Sequence, residues 1–227
     1  MLLLAIDTSG RQGSIALARA GKPTDGRDFE VIEIAPLEGG TFSAQLIPQV
    51  AELLASNGFV RSDIDAFAVA AGPGSFTGLR IGLAAVKALA EVLGKPIAAV
   101  SLLEVCVFSS GAVGKIMPAL DAGRGDVYVG EYEVPGTADQ VPRERILTRS
   151  EFLFQGKGWK VVTPDSALGD VARGAGLEVA TLPPITAAEV ARLGWHKIQS
   201  GKTVTSEQLE ANYIRRTDAE MLEKMGS

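Results

Sequence analysis

Cysteine is nearly missing from this 227-residue chain; Cys106 is the single one. That excludes an internal disulfide and a cysteine zinc cluster, and its setting, Val105-Cys106-Val107-Phe108, predicts a buried thiol. Histidine is just as scarce. His196 is alone, so a histidine-based metal centre cannot be assembled within the chain. A Ser-His-Asp triad would have to use it, and no G-x-S-x-G elbow is present, which disfavours protease or esterase chemistry. His196 follows Trp195 in an expected helix and reads as a surface or packing residue. There is no P-loop, because no glycine-rich turn ends in Gly-Lys-Ser/Thr. There is no basic run either: 22 Lys and Arg stand against 27 Asp and Glu. A net charge of -5 suits poorly a chain that must grip nucleic acid unaided. The apolar opening MLLLAI is too short for a signal peptide or a membrane span, and the cytosol is the expected location.

What is present is an ordinary globular balance, 46% hydrophobic and 22% charged, with length for one large domain or two small ones. Leu2–Ile6 is an apolar strand running into Asp7-Thr8-Ser9-Gly10. Ser14–Ala20 follows closely enough to pair as a hairpin, and Phe29–Ala35 alternates as a third strand. Ser43–Ser56 has helical spacing, with Leu46, Val50, Leu53 and Leu54 on one stripe and Pro48 expected to kink the first turns. The apolar strand Asp65–Ala71 leads into Gly72-Pro73-Gly74-Ser75-Phe76-Thr77-Gly78. A helix capped by Ser75 or Thr77 then runs to about Leu93, stopped by Gly94 and Pro96. Ile97–Val100 is a strand and Ser101–Ser109 a helix.

The opening arrangement then recurs. Ile116–Leu120 ends in Asp121-Ala122-Gly123-Arg124-Gly125-Asp126, and Val127–Val134 returns as a strand. Residues 135–149 read as a loop with a short strand, Trp159–Thr163 as a strand and Ala187–Ile198 as a helix. Glu207–Asn212 is a candidate last element, and the tail Ala219–Met225 a candidate helix. Two α/β halves, each opening with an Asp-tipped hairpin, match the actin-like plan of two lobes around a cleft. The expected division is 1–103 for the first lobe and 104–227 for a reduced second lobe, with the C-terminal segment packing back on the first.

Three features could carry chemistry. Asp7, Thr8, Ser9 and Gly10 on one turn, and Asp121 and Gly123 on the other, are candidates to cup a phosphate; the alternative is that both aspartates are strand-end turn formers. The Gly72–Arg80 stretch could meet an anion at a helix start or simply be a tight strand-to-helix connection. Arg80 and Lys87, seven apart on that helix, could face phosphate or acidic residues of a partner. Gly78, Gly82, Ala85 and Leu89 give the helix a small-residue face. Its two glycines cost about 1 kcal/mol each relative to alanine, which fits close packing either inside this chain or against a partner helix. A complete adenosine pocket would need a glycine-rich turn in the second half, and only Gly156-Lys157-Gly158 and the Gly174–Gly176 stretch offer one.

The segments LLLAIDTSG at the start, AGPGSFTGLRIGLAAVKALA at 71–90, PIAAVSLLE at 96–104, ALDAGRGDVYVGEY at 119–132 and YIRR at 213–216 resemble the TsaB family. They span nearly the whole chain, and the G-P-G-S-F-T-G-L-R-I-G run is highly specific. The resemblance implies an actin-like ATPase (ribonuclease H-like) fold with a reduced second lobe. It implies a non-catalytic partner of the TsaD-type transferase, which carries the metal and modifies adenosine 37 of tRNAs reading A-starting codons. A TsaE-type ATPase joins that complex, tRNA is reached only through the complex, and the isolated chain is expected as a homodimer. No cofactor is required; ATP or ADP would enter at the level of the complex. Leu46, Val50, Leu53, Ser75, Gly78, Leu79, Gly82, Leu83 and Val86 match the family's partner-binding helices. Family members often carry His-Ser before the first of these helices where this chain has Phe42-Ser43, so no role for that histidine transfers. The competing readings are an autonomous actin-like ATPase or small-molecule kinase, which requires a complete adenosine pocket, and a glycoprotease-like peptidase.

Overall fold

The structure, a computed structural model, describes residues 1–21, 29–136 and 142–214. Its first sheet is built on β1 (Leu2–Asp7), which pairs antiparallel with β2 (Gly13–Arg19) and parallel with β4 (Ala66–Gly72). β3 (Glu30–Leu37) and β5 (Ile97–Ser101) complete the order β3-β2-β1-β4-β5. Strands covered on both faces read as continuous apolar runs, as LLLAI and AFAVAA do. Within those runs large and small side chains alternate. Leu4, Ile6, Ile15, Leu17, Phe67 and Val69 point to one face, where α1 (Phe42–Ser56) and α2 (Phe76–Leu93) pack. Ala5, Ala16, Ala18, Ala66, Ala68 and Ala70 pave the other. α1 runs unbroken through Pro48, which lies on its exposed side.

The second sheet repeats the first. β6 (Gly114–Gly123) pairs antiparallel with β7 (Asp126–Val134) and parallel with β9 (Lys160–Thr163). β8 (Arg143–Thr148) and β10 (Glu178–Thr181) are its edges, giving β8-β7-β6-β9-β10. α4 (Arg149–Gln155) and α5 (Ser166–Gly174) stand where α1 and α2 stand in the first half. This duplicated order is the actin-like, ribonuclease H-like architecture, and it extends the hairpin repeat read in the sequence to whole sheets.

The helix that ends each half crosses to the other. α3 (Leu102–Ser110) packs on β6, β7 and β9, whereas α6 (Ala187–Gln199) covers the alanine face of β1, β2, β4 and β5. α6 comes close enough that a β-carbon on Gly194 would lie 2.4 Å from that of Ala68. Cys106 is fully buried on α3, where desolvation pushes its thiol up to about 12. α4, α5 and β10 are additions to the sequence reading. Glu207–Asn212 forms turns and extended chain rather than a regular element. The expected helix at Ala219–Met225 lies outside the described residues. Among the described residues, no helix is long and apolar enough to cross a membrane.

Candidate functional site

The two Asp-tipped hairpins face one cleft of about 1050 Å³. Its walls are Ser9, Gly10 and Arg11 after β1, the loop and first turn of α2 from Pro73, the β6–β7 turn from Asp121 to Arg124, and Tyr213. Ser9, Gly10, Asp121 and Gly123, four of the six candidate phosphate residues, therefore meet there.

Asp7 and Thr8 do not line it. Asp7 turns inward, where its Oδ1 accepts from the Ser9 N–H at 2.9 Å and from the Ser9 hydroxyl at 2.6 Å. Burial pushes the Asp7 carboxyl above the ordinary carboxylate range, with the Ser9 bonds opposing. Thr8 is also buried, and its hydroxyl donates to the Gly78 carbonyl at 2.7 Å. Asp121 stays exposed and accepts from the Gly123 N–H at 3.2 Å.

Close approach explains the glycines of the Gly72–Arg80 stretch. The Ser75 N–H donates to the Ser9 carbonyl at 2.7 Å, and the Ser75 hydroxyl caps α2 by accepting from the Gly78 N–H at 3.3 Å. A β-carbon on Gly74 would lie 2.6 Å from the Ser9 carbonyl oxygen. One on Gly78 would lie 2.0 Å from the Thr8 carbonyl oxygen, and one on Gly82 2.4 Å from the Thr8 hydroxyl. The motif seats α2 on the turn after β1, an intrachain joint.

Burial likewise accounts for the apolar residues expected at a partner interface. Leu46, Val50 and Leu53 of α1 and Leu79, Leu83 and Val86 of α2 are all buried in the core over the first sheet. They hold the two helices in place, and none is more than 6% exposed. What α1 and α2 expose is a different stripe: Ala44, Ile47 and Ala51 on α1, and Ala84, Ala88 and Val92 on α2. The helices pack side by side, and Ile47 and Val92 are 51% and 79% exposed.

Two arrangements were not apparent in the sequence. At the mouth of the cleft the Arg80 guanidinium lies 3.7 Å over the Phe76 ring, and its Nε donates to the Tyr213 hydroxyl at 3.1 Å. Behind Asn212, which lines the cleft, Glu144 of β8 accepts from the Ser101 hydroxyl at 2.5 Å, the Tyr132 hydroxyl at 2.6 Å and the Asn212 amide at 2.5 Å. Burial and this carboxylate push the Tyr132 hydroxyl far above the ordinary phenol range. The Asn212 N–H in turn donates to the Ala71 carbonyl at 2.7 Å, so one carboxylate ties both sheets to the C-terminal segment. His196 is exposed on α6, its ring 5.8 Å from that of Phe108. Among the described residues no three His, Cys, Asp or Glu side chains cluster as a metal site would need. Gly156, Gly158 and Gly176, from the turns considered for adenosine, line a separate cavity and not the cleft.

Residues 39–190 match the family model described as TsaD, tRNA N6-adenosine threonylcarbamoyltransferase. The chain is 36% identical over 155 residues to the tRNA threonylcarbamoyladenosine biosynthesis protein TsaB of Bacillus subtilis, covering 67% of this chain and 65% of the relative. It is 30% identical to TsaB of Haemophilus influenzae, covering 80% and 72%. It is 29% identical to TsaB of Escherichia coli, covering 96% of each. A solved structure from Pseudomonas aeruginosa, an uncharacterized protein with similarity to peptidase YEAZ, superposes with a TM-score of 0.69 at 27% identity, over 94% of this chain and 99% of that one.

Proposed function

Because the chain belongs to the TsaB family, and with it to the wider family of the transferase model it matches, we propose that it acts in tRNA threonylcarbamoyladenosine biosynthesis as the non-catalytic partner of a TsaD-type transferase. The observation that carries the partner role is the exposed small-residue stripe of α1 and α2. Two adjacent helices that bury their large side chains inward and present Ala44, Ala51, Ala84 and Ala88 outward allow other helix backbones to approach closely. The same stripe is self-complementary, so the isolated chain forms a homodimer that the transferase displaces. The reaction at adenosine 37, the metal it uses and the tRNA belong to the transferase, and a TsaE-type ATPase joins the assembly. The cleft between Ser9 and Asp121 would take nucleotide only at the level of that assembly. A self-sufficient ATPase or kinase is less well supported, since the glycine turns suited to adenosine lie outside the cleft.

Reconstituted threonylcarbamoylation of tRNA with the cognate transferase, the TsaE-type ATPase and the carbamoyl-adenylate synthase tests this reading. Activity should require this chain, and the chain alone should have none. Equal activity without it overturns the proposal.

A further inference from the structure

The sequence contains no basic run, yet the fold assembles a cluster of cations. A groove of about 610 Å³ lies at the start of the parallel strands of the second sheet. Lys115 is the second residue of β6, Trp159 immediately precedes β9, Lys160 opens β9, Glu178 opens β10, and Lys157 lies in the turn between Gly156 and Gly158. Lys160 pairs with Glu178 at 3.3 Å. The Lys115 ammonium lies 5.8 Å from the centre of the Trp159 ring, and the Lys157 ammonium 5.8 Å from that of Phe154, which is 74% exposed. Three lysines against one carboxylate make this lining cationic in a chain whose net charge is -5. The groove is also far from the cleft. Lys115 and Asp121 stand at opposite ends of β6, about 20 Å apart at roughly 3.3 Å per residue.

We propose that this groove binds a nucleotide unit, with phosphate against Lys115, Lys157 and Lys160 and base against Trp159. Lysines on a groove wall attract phosphate, and the half-buried Trp159, whose remaining surface lines the groove, supplies the sequence-tolerant aromatic contact that bases make with proteins that bind single strands. Gly158, which follows Lys157, has open space where its β-carbon would stand and leaves the backbone there accessible. An acidic peptide would use the lysines but would not need the indole. The proposal goes beyond the partner role and does not rest on it.

The test is fluorescence anisotropy of a labelled single-stranded oligoribonucleotide against the full chain at low salt. A nucleoside monophosphate and poly-glutamate serve as competitors. Lys157→Glu and the double variant Lys115→Glu/Lys157→Glu are compared with Lys202→Glu, which lies outside the groove; both groove lysines are exposed, and circular dichroism verifies folding. Affinity should fall about tenfold or more in the double variant and stay within about twofold in Lys202→Glu. Three phosphate contacts give a salt slope of roughly -2, at about -0.7 each. Competition by the mononucleotide identifies a free nucleotide as the ligand, and its failure to compete identifies an RNA strand; either upholds the site. Absence of saturable binding, equal loss in Lys202→Glu, or equal competition by poly-glutamate overturns it.

Discussion

At Gly78 an added methyl group would sit 2.0 Å from the Thr8 carbonyl oxygen, a backbone atom of the buried turn after β1. Neither α2 nor β1 can retreat cheaply, because Leu79, Leu83 and Val86 are packed on the same strands. Gly78→Ala should therefore destabilise the fold by about 1–3 kcal/mol, read as a lower urea midpoint. Gly174→Ala, with nothing within 4 Å, should not. Asp7 gives a prediction of opposite sign. Its folded-state carboxyl binds its proton more tightly than the ordinary value of 3.8, so between the two values the native state holds more protons than the unfolded one. Stability consequently falls as pH rises from the ordinary carboxylate range through the raised value. Asp7→Asn retains an oxygen to accept from Ser9 and removes the buried charge. It should raise the melting temperature at pH 7 and flatten this part of the pH profile. A lower melting temperature at pH 7 would contradict the burial argument.

Among the elements, those with strong end signals could be read directly. α2 has Ser75 to cap it, helical spacing through Val86, and Gly94 in the left-handed conformation at φ 63° to end it. α5 was hidden by its nine-residue length and its two glycines, Gly169 and Gly174, although Asp165 accepts from the Leu168 N–H as a cap should. β10 has four residues and none is buried, so no alternation marks it. α4 carried a legible sign, the capping box of Thr148 and Glu151. The candidate site was legible to a similar degree. Ser9, Gly10, Asp121 and Gly123 follow from hairpin turns, but the inward rotation of Asp7 depends on where Ser9 donates. The Glu144 junction joins residues 43, 12 and 68 positions away, and no local pattern encodes that. Removing its carboxylate leaves the buried hydroxyl of Tyr132 and the Asn212 amide without their acceptor. Glu144→Ala should cost about 1–3 kcal/mol. It should also speed hydrogen exchange at the Asn212 amide, which bonds to Ala71. Unchanged protection there would show that the C-terminal segment is held without this residue.

Over the whole molecule, duplication and exchange account for both the cleft and the outer surface. Two copies of one strand order face each other, and α3 and α6 each cross to the opposite sheet. That interlocks the halves and leaves α1 and α2 as the outer layer of the first sheet. The sequence singles out these two helices, but on its own could not separate their inward from their outward residues. Leu46 and Leu83 look as suitable for a partner as Ile47 and Ala84 until the sheet beneath them is known. The central claim is that the outward stripe engages the transferase, and sedimentation velocity of this chain mixed with its cognate TsaD-type protein tests it most directly. Ala88→Arg and Ile47→Asp should abolish the heterodimer while leaving the melting temperature within a few degrees of wild type, and Val113→Asp, an exposed change on the second half, should leave assembly intact. A heterodimer that survives both stripe substitutions would contradict the account.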